Sequence, residues 1–481
     1  MTSIQIRNMS FGFEYQENPI FQNVSLNLDD TWKLGLVGRN GRGKTVLLQL
    51  LMRTYSYHGT IKYSKEFVYF PVEINDMQQL TYYVLEEIAS FEQWALEKEC
   101  QLLDVDVSKL WQPYETLSGG EKTKLLLAIL FLDKGKFPLI DEPTNHLDIK
   151  SRKQVKDYLQ KKSGYIIVSH DRAFLNEVID HTLAIEREQI VLYQGNYETY
   201  VKQKQIQDNQ REEKNNKLKK EIQRLEKTVK EKKEWGDARE QSNGGRNIAA
   251  RLMKRAKAID HRRQTQVEVK KSLLDNREEK EVLSMTPRSS YKKAILQLKD
   301  FSLGYEKGKY LFQPVTVTVN QGEQVAIVGN NGVGKTTLMR YFLQPEHFFT
   351  TGECYLAEEL IISTVSQEIT RMGTLKEFSE TMQLDYTKVL TYLKKLGMER
   401  TAFETPIEQM SRGQQKKVEL VKSILQKADL YLWDEPLNYL DLFAQEQLSE
   451  SIEKAKPTMI FIEHDTLFCQ KATKLVEIKA N

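Results

Sequence analysis

The chain has 481 residues, 40% of them apolar and 28% charged, with a net charge of +3. Its longest apolar run, residues 125–132, is eight residues long, against the roughly 18 that a membrane-spanning helix needs, so no membrane crossing is expected, and the length suggests about three domains. Cys100, Cys354 and Cys469 are far apart and odd in number; they form no disulfide framework or metal-ligand pattern and read as small packing residues in a reducing cytosol.

Residues 1–16 show no apolar stretch and no small-residue cleavage site, so no secretory signal is expected. Residues 33–37 form a largely apolar strand that ends at Gly38-Arg39-Asn40-Gly41-Arg42-Gly43-Lys44-Thr45, a match to G-x-x-x-x-G-K-[ST]. A helix is predicted over 45–52. Glycines in such a loop let backbone N–H groups turn inward around phosphates, and the helix N-terminus adds partial positive charge. Lys44 is placed to reach the β- and γ-phosphates, and Thr45 to ligate Mg2+. Ser118-Gly119-Gly120-Glu121 follows, then a strand over 137–140 that ends at Asp141-Glu142-Pro143. A carboxylate at a strand's C-terminal end faces the crevice where α/β sheets bind ligands. Asp141 is therefore a candidate to hold Mg2+ through water, and Glu142 to polarise the attacking water. A further strand over 165–168 leads to His170, a candidate to contact the γ-phosphate.

From Tyr197 to about Glu240 there is no proline and little glycine. Leu218, Ile222, Leu225 and Val229 step by 4, 3 and 4, a narrow apolar stripe. Ser242-Asn-Gly-Gly245 breaks the helix, and a second helical pattern covers about 247–275. An antiparallel helical hairpin is predicted, its first helix reaching roughly 60 Å at about 1.5 Å per residue. The charge here is one-sided: residues 201–280 hold 24 basic and 14 acidic side chains, the remainder 46 and 53. Near the bend, Arg246, Arg251, Lys254, Arg255, Lys257, Arg262 and Arg263 suit phosphate contacts to folded RNA. The plainer alternative is a solvated coiled-coil spacer.

The first unit then recurs. Residues 324–328 form a strand before Gly329-Asn330-Asn331-Gly332-Val333-Gly334-Lys335-Thr336, with a helix predicted over 336–342. Ser411-Arg412-Gly413-Gln414, Asp434-Glu435-Pro436 after a strand over 430–433, and His464 after a strand over 459–462 complete it. The offsets from the first copy are 291, 293, 293 and 294 residues, the mark of a duplicated domain. Lys335, Thr336, Asp434, Glu435 and His464 take the roles given to their counterparts.

The P-loop, Leu117-Ser-Gly-Gly-Glu121, Asp-Glu-Pro and the later histidine together resemble the ATP-binding cassette (ABC) nucleotide-binding domain over essentially the whole chain. The expected fold is α/β: two ABC-type P-loop ATPase domains, 1–195 and 285–481, joined by a long antiparallel α-helical hairpin over 196–284. Asp141-Glu-Pro-Thr-Asn-His-Leu-Asp148 followed by a charged helical linker resembles ABC-F, the ribosome-binding class of translation factors and antibiotic-resistance proteins.

That resemblance implies two ATP molecules sandwiched within one monomer, each P-loop facing the other copy's signature. Site one would join Lys44, Thr45, Asp141, Glu142 and His170 with Ser411, Arg412 and Gly413. Site two would join Lys335, Thr336, Asp434, Glu435 and His464 with Ser118, Gly119 and Gly120. Phe13 and Tyr305 stand where the family stacks an aromatic ring on adenine. Gln367 matches the family's Q-loop glutamine, an implied Mg2+ ligand, whereas the first copy aligns Val72 there, and Arg412 replaces a usual glycine. Unequal turnover is therefore expected, and both intact glutamates imply ATP hydrolysis.

The hairpin is implied to enter the E site of the 70S ribosome and touch 23S rRNA and the P-site tRNA. Only 80 and 82 residues separate P-loop from signature, which leaves the first copy no room for an extra helical arm, and 17 residues follow His464. The loop and signature resemble the Lsa/Vga-type resistance proteins of Gram-positive bacteria, nearer Lsa. That likeness implies protection against lincosamides, pleuromutilins and streptogramin A. A housekeeping translation factor and a transporter ATPase subunit are the alternatives. A DNA-associated role of the SMC type is disfavoured by the short linker.

Overall fold

The computed structural model describes residues 3–13, 19–72, 74, 76–145, 147–186, 189–240, 283–288, 293–366 and 373–481. Gln367, the break at 242–245, the second linker helix and all seven basic residues from Arg246 to Arg263 lie outside the described residues. Met1–Tyr197 and Val282–Asn481 form one compact unit that holds both cassettes, and Glu198–Glu281 form another.

In the first cassette a parallel sheet with an antiparallel edge forms from β3 (Lys33–Gly38), β5 (Glu66–Phe70), β6 (Lys136–Asp141), β7 (Tyr165–Val168), β8 (His181–Ile185) and β9 (Ile190–Gln194), in the order β5-β6-β7-β3-β8-β9. All four residues of β7 are buried, as expected of a parallel strand covered on both faces. A small antiparallel sheet, ordered β2 (Phe21–Asp29), β1 (Ser3–Phe11), β4 (His58–Lys62), packs through Ile4, Ile6 and Met9 onto Leu34, Leu36, Ile166 and helix α1 (Lys44–Leu51).

The second cassette repeats this plan. Its parallel sheet runs in the order β14 (Ile362–Val365), β15 (Leu430–Asp434), β16 (Met459–Ile462), β12 (Gln324–Val328), β17 (Lys474–Glu477). The antiparallel sheet is β11 (Val315–Asn320), β10 (Ala294–Gly304), β13 (Phe349–Leu356). The duplication reaches below the motifs. The register of β1 slips between Ile6 and Met9, and that of β10 between Leu298 and Phe301. Asn8 and Asp300 sit at these slips with φ of 49° and 47°. Gly59 and Gly352 lie against them so closely that a Cβ would come within 2.5 Å of Asn8 O and 2.2 Å of Asp300 O.

In each cassette the P-loop leaves β3 or β12 at the C-terminal edge of the sheet, one strand removed, across β7 or β16, from the strands that end at Asp141 and Asp434. This is the crevice that the parallel topology predicts for a ligand. The predicted first linker helix spans Tyr197–Glu240, 44 residues, and from Glu198 onward it belongs to the second compact unit. Among the described residues no helix is long and apolar enough to cross a membrane.

Candidate nucleotide sites

Each P-loop passes from strand to helix through left-handed glycines. Gly41 and Gly43 have φ of 79° and 87°, Gly332 and Gly334 79° and 102°. Gly43 and Gly334 are the N-caps of α1 and of the helix Lys335–Tyr341. A Cβ on Gly43 would lie 2.7 Å from Ile20 Cγ2, so both conformation and space call for glycine. Lys44 Nζ donates to Gly38 O at 2.8 Å and to Asn40 Oδ1 at 3.2 Å. Lys335 Nζ donates to Gly329 O at 2.7 Å and Asn330 O at 2.9 Å. Burial lowers the pKa of both lysines, opposed by Asp441, Glu142 and Asp141 around Lys44 and by Glu435, Asp434 and Asp148 around Lys335.

Asp141 Oδ2 accepts from Thr45 Oγ1 at 3.1 Å and from Tyr69 Oη at 2.9 Å. Burial raises the Asp141 pKa, while these two hydroxyls and Lys44 oppose the rise. Asp434 is pushed up to about 6 by burial, with the Thr336 hydroxyl beside it, and its buried Oδ1 has no hydrogen-bond partner among the described residues. A hydroxyl and a carboxylate at a loop shaped for phosphate are hard oxygen donors that fit Mg2+. No cluster of three or more metal-binding side chains occurs among the described residues. Mg2+, which usually takes one or two carboxylates plus substrate phosphates and water, does not require one.

The glutamates share an uncommon backbone. Glu142 and Glu435 have φ of 52° and 50°, and their N–H groups donate to Val168 O and Ile462 O, each at 2.9 Å. Left-handed non-glycine residues persist where the surroundings fix them, and they cluster at active sites. Their carboxylates differ. Glu142 Oε2 accepts from His170 N at 3.2 Å, and its Oε1 lies 3.3 Å from His170 Nε2, a close approach without hydrogen-bond geometry. Glu435 Oε2 accepts from Asn438 Nδ2 at 2.5 Å, and His464 Nε2 stands 3.7 Å from Oε1. Burial, reinforced by Asp141, pushes Glu142 up to about 8. Burial pulls His170 down to about 3 and His464 to about 4. The His170–Glu142 contact is thus one with a neutral imidazole rather than an ion pair.

The unit also brings the first P-loop against the second cassette. Asn40 N donates to Asp441 Oδ2 at 2.7 Å, and Asn40 Nδ2 to Tyr439 O at 3.1 Å. Arg39 Nη2 donates to Lys395 O at 3.4 Å. Asp441 also accepts from Ala444 N at 2.9 Å, capping the helix Leu442–Ala455. Its counterpart Asp148 caps Ile149–Gln160 and acts on Lys335 and His464 through its charge.

Ser118 and Ser411 each close a capping box with Glu121 and Gln414, at the starts of Gly119–Leu130 and Arg412–Leu425. Gly120 lies beside Leu147 and Ser151, and Gly413 beside Tyr439. The described contacts thus tie each signature to the Asp-Glu-Pro loop of its own copy. Phe13 is 38% exposed and packs edge-on to Tyr55 at 5.8 Å, whereas Tyr305 is 57% exposed and leans on Phe348 at 5.5 Å.

Sequence reasoning did not single out Asp441, Asn438, Tyr69 or Glu463. The Asp148/Asp441 pair could have been found, since both recur 293 residues apart just before a helix. Glu463 replaces Ser169. Its buried carboxylate accepts from Leu437 N and His464 N, each at 2.8 Å, where the first cassette has a Thr144–Ser169 hydroxyl pair at 3.0 Å. Phe70 pairs with Ile140 and Val365 with Trp433, each just before the aspartate, so the two edge strands end in matching register.

The ABC transporter family matches residues 21–145 and 312–438, and a second family, also described as ABC transporter, matches 183–283. The ribosome protection protein VmlR of Bacillus subtilis (strain 168) is 28% identical over 491 residues, covering 98% of this chain and 85% of that protein. The ATP-binding protein Uup of Escherichia coli (strain K12) is 24% identical over 514 residues, covering 94% and 77%. An archaeal ribosome recycling factor, aABCE1, solved with the ribosomal stalk protein aP1, superposes with a TM-score of 0.64 at 17% identity, covering 98% and 88%. It shows that the tandem-cassette fold is shared. The chain belongs to the ABC transporter family, is an ATPase, and through its tandem cassettes and relatives finds support for a place in the ABC-F branch.

Proposed function

We propose that the chain is an ABC-F ATPase that binds the ribosome from the cytoplasm, enters the E site and displaces antibiotics of the peptidyl-transferase centre. The observation that carries the reading is the likeness to a ribosome protection protein over 98% of the chain, joined to a cross-cassette bond at the first P-loop. In this reading two ATP molecules bind between the cassettes. Lys44 and Lys335 exchange their loop carbonyls for phosphate oxygens. Thr45 with Asp141, and Thr336 with Asp434 and Gln367, hold Mg2+, which when bound neutralises charge on the β- and γ-phosphates. Glu142 and Glu435 polarise water, and His170 and His464 contact the γ-phosphate.

ATP closes the cassettes only to the extent that it binds the closed form more tightly. The linker then meets rRNA and the P-site tRNA through Arg246, Arg251, Lys254, Arg255, Lys257, Arg262 and Arg263. Hydrolysis reopens the cassettes and releases the chain. The Lsa-like drug range of lincosamides, pleuromutilins and streptogramin A belongs to this proposal.

A double Glu142→Gln, Glu435→Gln chain with ATP should co-sediment with 70S ribosomes; a double variant that stays in the supernatant overturns the reading. The likeness to Uup, whose name carries no drug role, favours a second reading, a general translation factor. Expression in a drug-sensitive host, with growth measured under lincomycin or tiamulin, separates the two.

A further inference from the structure

The first cassette has valine where the second has the Q-loop glutamine, yet its Asp141 carboxylate carries a donor from the same edge strand. Tyr69 pairs with Leu139 in the parallel β5–β6 ladder. Two residues along β6, Asp141 projects from the same face as Leu139. The phenol spans this diagonal between the two strands to place its Oη 2.9 Å from Oδ2. The Thr45 hydroxyl donates to the same oxygen at 3.1 Å. In the second cassette Thr364 holds the matching register position, opposite Leu432. A threonine side chain is too short for that diagonal, and the buried Asp434 Oδ1 has no hydrogen-bond partner among the described residues.

We propose that Tyr69 is a positioning residue of the first ATP site, holding Asp141 for the metal–nucleotide complex where Val72 cannot. The inference rests on the reading of Asp141 as the carboxylate that serves Mg2+. The two sites therefore hold the same carboxylate by different means. Site one uses two hydroxyls, those of Thr45 and Tyr69.

The test uses the full chain with Lys335→Ala, which leaves the first site as the working one, and a fluorescent ATP analogue titrated with Mg2+. Tyr69→Phe should raise the Mg2+ concentration for half-saturation about tenfold, the low end for loss of a residue that orients a metal ligand. Affinity for the analogue in EDTA should stay within twofold, which a general loss of structure would not allow. Mn2+ binding followed by electron paramagnetic resonance in the presence of ATP should weaken in parallel. Tyr69→Thr, which carries the second cassette's side chain, should behave alike and guards against a folding fault peculiar to one variant. Unchanged Mg2+ half-saturation in both variants overturns the proposal. Asp141→Asn in the same background serves as the separate control: if it too leaves the Mg2+ dependence unchanged, the reading of Asp141 has failed rather than the role of Tyr69.

Discussion

Asn40 and Asp441, 401 residues apart in sequence, share a 2.7 Å hydrogen bond that fastens the first P-loop to the second cassette. The same carboxylate caps a helix through Ala444 N and opposes the burial-driven fall in the Lys44 pKa. Asp441→Asn keeps a good helix cap but removes the charge. We expect its melting temperature to stay within a few degrees of the parent while ATP turnover, followed by phosphate release, falls several-fold. An equal fall in both would mean that Asp441 acts through the fold alone.

The two glutamates should not be interchangeable. Glu142 is held by His170 N and Glu435 by the Asn438 amide. Single Glu142→Gln and Glu435→Gln chains are expected to keep different residual rates, and the double variant to lose at least about a hundredfold, the usual lower scale for a general base. Steady-state phosphate release at saturating ATP measures all three. Equal single-variant rates would show that the differing partners have no kinetic effect.

The cysteines should report burial. Burial pushes the Cys100 and Cys469 thiols up to about 12 and also raises Cys354, which is only half-buried. A thiol whose pKa lies far above the solution pH presents almost no thiolate, the reactive form. At pH 8 a chromogenic disulfide should therefore label the native chain slowly, at Cys354 first, and all three cysteines rapidly in guanidinium. Fast native labelling at Cys100 or Cys469, located by mass spectrometry, would contradict the packing.

If the basic linker meets RNA phosphates, its charge sets a salt dependence. Replacing Arg251, Lys254 and Arg255 by Gln should make the slope of log affinity for ribosomes against log salt shallower, by about 0.7–0.9 for each phosphate no longer neutralised. Binding to ribosomes in a salt series, with the double glutamate variant as the trapped form, gives that slope. An unchanged slope would reduce the linker to a spacer.

Much of the fold was legible because its signals are local. The strands read at 165–168 and 459–462 coincide with those observed. The P-loop helices begin one residue earlier than read, at Lys44 and Lys335, because Gly43 and Gly334 serve as their caps. What stayed hidden depends on register and on contacts between distant segments. Tyr69 gains its partner only when β5 is set against β6, and a motif search for glutamine at position 72 passes over it. Asp441 gains its partner only when the copies meet. Glu463 hid for a third reason: it fills a serine's place with a side chain that caps backbone N–H groups, a use no spacing rule anticipates.

The left-handed turn at Glu142 and Glu435 sets durability against chemistry at a single position. Glycine there would relieve backbone strain of about 1 kcal/mol or more, yet it would discard the carboxylate. Selection of variants for heat resistance alone would thus drift toward silent cassettes. Hardening this ATPase calls for choosing survivors by turnover as well as by endurance.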